Sequence, residues 1–142
     1  MRAPARLLLG GVMASGLGVA LAQPAPLPQV ECEAEYAVYQ WRKVFQPDPD
    51  QPYTTPGEEV GQRFRLKVLA SSRQTPGDTL HVLVSYWDGQ QYRVIQQSTF
   101  GPEQVRAAQG GGHLTGEQRI YSPDLGRQLR YQCRLLGRAS PP

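Results

Sequence analysis

Asparagine is absent from all 142 residues, which removes every N-x-S/T acceptor for N-linked glycans. An excess of charge of one sign is also missing. Fifteen Lys and Arg stand against twelve Asp and Glu. Arg2 and Arg6 belong to a leader described below, so the body of the chain carries thirteen basic residues against twelve acidic ones, a balance of +1. With no block of five or six basic residues, the chain lacks the electrostatic footprint of a nucleic-acid binder, and nucleic acid is not an expected partner. The predominance of arginine over lysine is read as a compositional habit, not a functional signal. No serine sits in a G-x-S-x-G elbow, no acidic loop has the D-x-D-x-D-G register, and no internal repeat is present. Histidine and cysteine occur only twice each, and the cysteines have no histidine near them in sequence, so a four-ligand zinc site is not expected. No cofactor is implied.

Long apolar runs are scarce too. The one candidate is Leu7–Ala20, fourteen residues interrupted by four glycines and preceded by Arg2 and Arg6. A bilayer-spanning helix needs about 20 apolar residues. Here the run ends in Ala20-Leu21-Ala22, an A-x-A cleavage pattern, so residues 1–22 read as a cleaved secretory signal. No cysteine follows the cleavage point to carry a lipid, and no membrane span is expected after cleavage. The expected location is periplasmic or secreted. What remains, residues 23–142, has the size of one domain. It divides into a Pro-rich lead-in (23–29), expected to be extended and mobile, a single β domain (30–138) and a frayed tail (139–142).

Cys32 and Cys133 lie near the two extremities of that domain. In an exported protein an even pair of cysteines reads as a disulfide, and two cysteines allow one intramolecular connectivity. Their surroundings alternate with period two. In Arg127–Leu136, Leu129, Tyr131, Cys133 and Leu135 share one face, while Gln128, Arg130, Gln132 and Arg134 share the other. In Val30–Trp41 the inward set is Val30, Cys32, Ala34, Tyr36 and Val38, with Glu31, Glu33 and Glu35 facing water. If the strands are antiparallel neighbours with the cysteines opposite each other, Glu31 faces Arg134 and Glu35 faces Arg130, which helps set register. A bridge between two packed sheets is the alternative.

Four prolines in Phe45–Gln62 predict a long loop without a ladder. Arg63–Ala70 alternates as a strand with Phe64, Leu66, Val68 and Ala70 inward, and Ser71–Thr79 reads as a turn. Leu80–Phe100 predicts a hairpin turning at Trp87-Asp88-Gly89, which pairs Val84 with Tyr92 and Val82 with Val94. Leu83, Trp87, Arg93 and Ile95 then share the other face. Apolar residues on both faces make this hairpin either central or the carrier of a partner surface. Pro102 at a first helical position and Gly110 as a stop predict one short helix near 102–109. Glu117–Ser122 and the Cys133 strand form a second hairpin. The expected fold is therefore all-β: a small antiparallel sandwich or partly open barrel of five or six strands, clipped by the disulfide, with immunoglobulin-like topology left open.

Candidate sites are few. Tyr39, Trp41 and Trp87 are aromatics of the kind that anchor interfaces, the first two expected on the glutamate side of the first strand. Asp48, Asp50, Glu58 and Glu59 supply oxygen ligands within one loop, a candidate calcium site. His81 and His113 could serve a small hydrolase only if one of them meets a carboxylate at the floor of a pocket. The expectation is an exported, non-enzymatic binding domain that contacts another envelope or extracellular protein, or a glycan. An inhibitor of an extracellular hydrolase is the close alternative. The partner's identity and the oligomeric state are not encoded in any motif here.

Overall fold

A computed structural model describes residues 18–19, 28–52, 54–71 and 79–137. The proposed leader (apart from 18–19), most of the lead-in, most of the 71–79 turn and the tail lie outside the described residues. Within them are eight strands and one helix: β1 (Val30–Tyr36), β2 (Tyr39–Phe45), β3 (Glu58–Val60), β4 (Phe64–Ala70), β5 (Leu80–Trp87), β6 (Tyr92–Phe100), α1 (Pro102–Ala108), β7 (Gln118–Tyr121) and β8 (Gln128–Leu135). They form two four-stranded antiparallel sheets. Sheet A has the order β2-β1-β8-β7 and sheet B the order β3-β4-β5-β6.

Every pair of hydrogen-bonded neighbours is consecutive in sequence except β1 and β8, which close the chain on itself. This is an up-and-down meander pressed into a sandwich, so the Greek-key crossover of an immunoglobulin fold is not used. It also sends four short turns to one end and the three long connections to the other.

The strand count exceeds the expected five or six for two reasons. First, Val30–Trp41 is not one strand. A two-residue turn at Ala37-Val38 folds it into the β1–β2 hairpin, with Tyr36 opposite Tyr39. Neither residue has turn chemistry, and Ala37 adopts φ +53, a left-handed conformation that alanine tolerates at a cost. Val38, expected inward, is 89% exposed at the tip. Second, Glu58–Val60, assigned to the loop, pairs with Phe64–Leu66 to make β3. The β3–β4 turn then packs so closely on the β1–β2 hairpin that a Cβ at Gly61 (φ +60) would lie 2.5 Å from the Tyr36 ring.

The disulfide is formed inside sheet A, between directly opposed residues of β1 and β8 with Cα atoms 4.1 Å apart. Glu31 does face Arg134, and Glu35 does face Arg130. The inter-sheet alternative is excluded. The lead-in is better held than expected at its last two positions: Pro28 is buried, and Gln29 O accepts from Leu136 N at 2.9 Å.

Between the sheets lies a core contributed by the inward positions of β1, β4, β5 and β8, with Val30, Cys32, Phe64, Leu66, Val68, Leu80, Val82, Val84, Leu129 and Leu135 all at 0% exposure. Phe64 sits between Tyr36 and Tyr86, with ring centroids 5.2 Å from each. The helix α1 starts at Pro102 as expected, where Gly101 N donates to the Gln104 side chain at 2.9 Å. It buries Val105 and Ala108 against the core and so serves as a plug.

Candidate functional site

The two outer faces of the sandwich differ in their balance of ion pairs and apolar side chains. On sheet A most outward positions form rungs across the strands, while Val44 and Tyr121 stand exposed on its outer strands. Arg42 pairs with Glu33, which also accepts from Gln132 Nε2 at 3.1 Å. Arg134 holds Glu31 at 2.6 Å, with Arg42 4.0 Å away on its other side, and Arg130 pairs with Glu35. The Gln132 hydrogen bond, followed by the Arg42 charge, lowers the Glu33 carboxyl below its ordinary range. A shallow groove of about 520 Å³ runs over these rungs, lined by Glu33, Glu35, Gln40, Arg42, Arg130 and Gln132 among others. Each acidic side chain on β1 already holds a cation. A ligand there would have to displace ion pairs, so this face behaves as a solvated one.

Sheet B carries more apolar side chains on its outer face. Inward positions of β4 and β5 are buried, but the outward positions of β4, β5 and β6 include Leu69, Leu83, Trp87 and Tyr92, all half-buried, and Val94, 55% exposed. These alternate with Arg65, Lys67, His81, Ser85, Gln97 and Thr99, and only Tyr92 and Val94 occupy successive outward positions. The outer face of an antiparallel sheet in water is nonetheless normally polar, so five apolar side chains mark this one. Trp87 and Tyr92 face each other across β5–β6, with ring centroids 5.1 Å apart. The Arg65 guanidinium lies 3.8 Å from the Tyr92 ring centroid and donates to Glu59 Oε1 at 3.0 Å. The Glu59 carboxyl is lowered by its Arg65 hydrogen bond and then by Tyr92. Burial, then the hydrogen bond to Glu59, raises the Tyr92 phenol.

This arrangement joins residues that the sequence singled out separately. Trp41 is not on the glutamate side. The Ala37-Val38 turn reverses the chain, so Trp41 pairs with Ala34 and shares its inward face. Its indole N–H donates to Glu59 O at 3.0 Å, and Lys43 reaches Glu58 at 3.9 Å, which together tie the β2 edge to the β3 edge. Tyr39 is likewise on the inward side of β2, at its exposed end, 51% accessible. Trp41 and Trp87 thus belong to opposite sides of one Glu59–Arg65–Tyr92 cluster. Nothing in the sequence pointed to Tyr92 or Arg65, because the expected hairpin register placed Tyr92 inward opposite Val84. The observed loop has four residues, Asp88–Gln91, and Trp87 pairs with Tyr92. Arg93, expected on the outer face, pairs with Tyr86 instead. The register shift between Val84 and Ser85 leaves Ile95 as an extra residue packed against the core, and from there Val84 pairs with Gln96 and Val82 with Ser98. Asp88 organises the loop. Its carboxyl is held down at about 2 by Arg93 and by the backbone N–H groups of Gln91 and Gln90.

The four candidate calcium ligands are not gathered. Asp48 Oδ1 accepts from Asp50 N at 2.9 Å within a turn, whereas Glu58 and Glu59 sit on β3 and engage Lys43 and Arg65. Among the described residues no group of three His, Cys, Asp or Glu could hold a metal ion, and no helix is long and apolar enough to cross a membrane. The loop itself is pinned by Pro47, which is buried.

The histidines also lie apart. His113 pairs as an isolated bridge with Arg134 and is exposed. His81 lies on the outer face of β5, with Nε2 against Ser71 Oγ and Nδ1 3.0 Å from Thr99 Oγ1. Among the described residues, neither histidine has a hydrogen bond to a carboxylate. Burial lowers the His81 pKa from 6.5 and favours the neutral ring. The unfolded chain therefore takes up a proton at His81 before the folded one does. This contribution to stability is complete above pH 6.5, falls as pH drops through the window between 6.5 and the lowered folded value, and levels off below it. We expect wild-type protein to lose more stability from about pH 7.5 to about pH 5.5 than a His81→Gln variant, measured by urea unfolding at both pH values. Equal losses would show that the ring is not shielded.

Comparison of the chain with protein-family models, with curated proteins and with solved structures returned no match.

Proposed function

We propose that this chain is an exported binding domain that docks another protein on the outer face of sheet B. The observation that carries the reading is a difference between the two outer faces: ion-paired rungs with only Val44 and Tyr121 apolar on sheet A, against five apolar or aromatic side chains among the outward positions of sheet B. Leu69, Leu83 and Val94 favour a protein over a glycan. Aromatic rings can stack on sugars, but aliphatic side chains gain chiefly by burial against other apolar surface. Trp87 and Tyr92 supply the rigid aromatic area from which interface hot spots are built. Export is supported by the leader-like residues 1–22 and by the disulfide, which persists in oxidising compartments.

The test is capture of envelope proteins by immobilised residues 23–142, with partner binding then measured on variants. Trp87→Ala and Leu83→Ser should each weaken binding by roughly tenfold or more, while Arg42→Ala on sheet A should change it by less than about twofold. Loss of binding by the sheet A variant, with the sheet B variants unaffected, would transfer the site to the ion-paired groove. Recovery of a glycan in place of a protein would refute the partner class.

A further inference from the structure

We infer that the free edge of β6 pairs with the same edge of a second copy of this chain, joining two copies of sheet B into one antiparallel sheet about a two-fold axis. An edge strand exposes a row of unpaired backbone N–H and C=O groups, and proteins ordinarily blunt such rows with charge, shortness, proline, a bulge or a cover. Three of the four sheet edges here are managed in these ways. β2 carries Arg42 and Lys43 and is tied to β3 through the Trp41–Glu59 hydrogen bond and the Lys43–Glu58 pair. β3 has three residues and β7 has four.

β6 is different. It has nine residues and, among the described residues, ends the β3-β4-β5-β6 order. From Val94 to Phe100 it contains no charged residue, no proline and no glycine. The extra residue at Ile95 interrupts one end, but Gln96–Phe100 pairs with β5 without a break, so its far side offers a regular ladder.

The chemistry of that edge selects the partner. Unpaired backbone donors and acceptors are satisfied best by another strand. Placed antiparallel to itself, the uncharged Val94–Phe100 stretch meets no like-charge repulsion, with Arg93 and the bulge confined to the turn end of the strand. A two-fold pairing of this kind closes after two copies instead of propagating. The near-neutral body of the chain, at +1, adds little long-range repulsion. Gln97 and Thr99 lie on the outer face, so pairing would set the two proposed docking faces side by side. The dimer does not depend on the docking reading, because it uses the strand edge and not the face.

Gln97 is exposed and near the middle of the regular stretch, which makes it the position to test. In sedimentation equilibrium, disulfide-bonded residues 23–142 should show twice the mass of one chain. Gln97→Lys and Gln97→Glu should each give the mass of one chain, since two like charges then meet near the axis. An equimolar mixture of the two variants should regain the doubled mass. A wild-type protein that stays monomeric up to millimolar concentration would overturn the inference, as would charge variants that remain dimeric or a mixture that fails to pair. Failure of partner capture with the dimer intact would count against the docking face alone.

Discussion

Replacing Cys32 and Cys133 together by alanine is expected to cost about 4–5 kcal/mol of unfolding free energy, roughly a thousandfold in the folding equilibrium. Chain entropy is the source. The two residues are 101 positions apart, so the bond removes from the unfolded ensemble a loop almost as long as the domain. In the folded state it adds little, because β1 and β8 already share five other register pairs around it. The native sheet should therefore persist in the variant. Guanidinium unfolding of wild type, double variant and reduced wild type gives the measurement, and the last two should agree. A loss below about 2 kcal/mol would mean that the unfolded chain stays compact without the bond. Domains of this size usually hold about 5–15 kcal/mol in all, so reducing conditions should leave the protein close to its unfolding threshold.

The second large effect is expected at Phe64. Phe64→Ala should destabilise by about 3–5 kcal/mol, from lost burial plus the cavity left behind. Its ring is fully buried and packs against Tyr36 of sheet A and Tyr86 of sheet B, so its removal loosens both sheets at the end where the turns gather. Collapse into the space is hindered, because the Tyr36 phenol is held by Arg127 Nη1 at 3.0 Å. Val94→Ala, at a 55% exposed position, is the control and should stay within about 0.5 kcal/mol of wild type. Similar losses at both positions would mean that the assignment of core and surface is wrong.

These two effects differ in how far the residues alone announce them. The role of the cysteines is legible in the amino-acid order: an even pair, two stretches of strict alternation, and the complementary charges that set Glu31 against Arg134. The packing of Phe64 is legible only in part. The pattern of Arg63–Ala70 marks it as inward, but it does not name Tyr36 and Tyr86 as its neighbours, because periodicity assigns a face and not a partner.

The same limit explains the misplaced site residues. Trp41 lies on the inward side because Ala37 takes a positive φ that alanine does not advertise. Tyr92 lies outward because the loop holds four residues, Asp88–Gln91, and sets it opposite Trp87. The extra residue at Ile95 then returns Gln96–Phe100 to the other phase, since a one-residue slip exchanges the two faces of a strand. β3 is hidden among prolines, since three residues are too few to show a period.

The amino-acid order by itself determined the strand-forming stretches, most of their buried sides, the pairing of the two cysteines and the near-neutral charge, because each follows from local alternation or from counting. Tertiary structure alone decided the meander topology, the Glu59–Arg65–Tyr92 cluster and the contrast between the two outer faces. Those depend on turns and a bulge whose geometry is stabilised by contacts distant in sequence. A local pattern cannot carry that information.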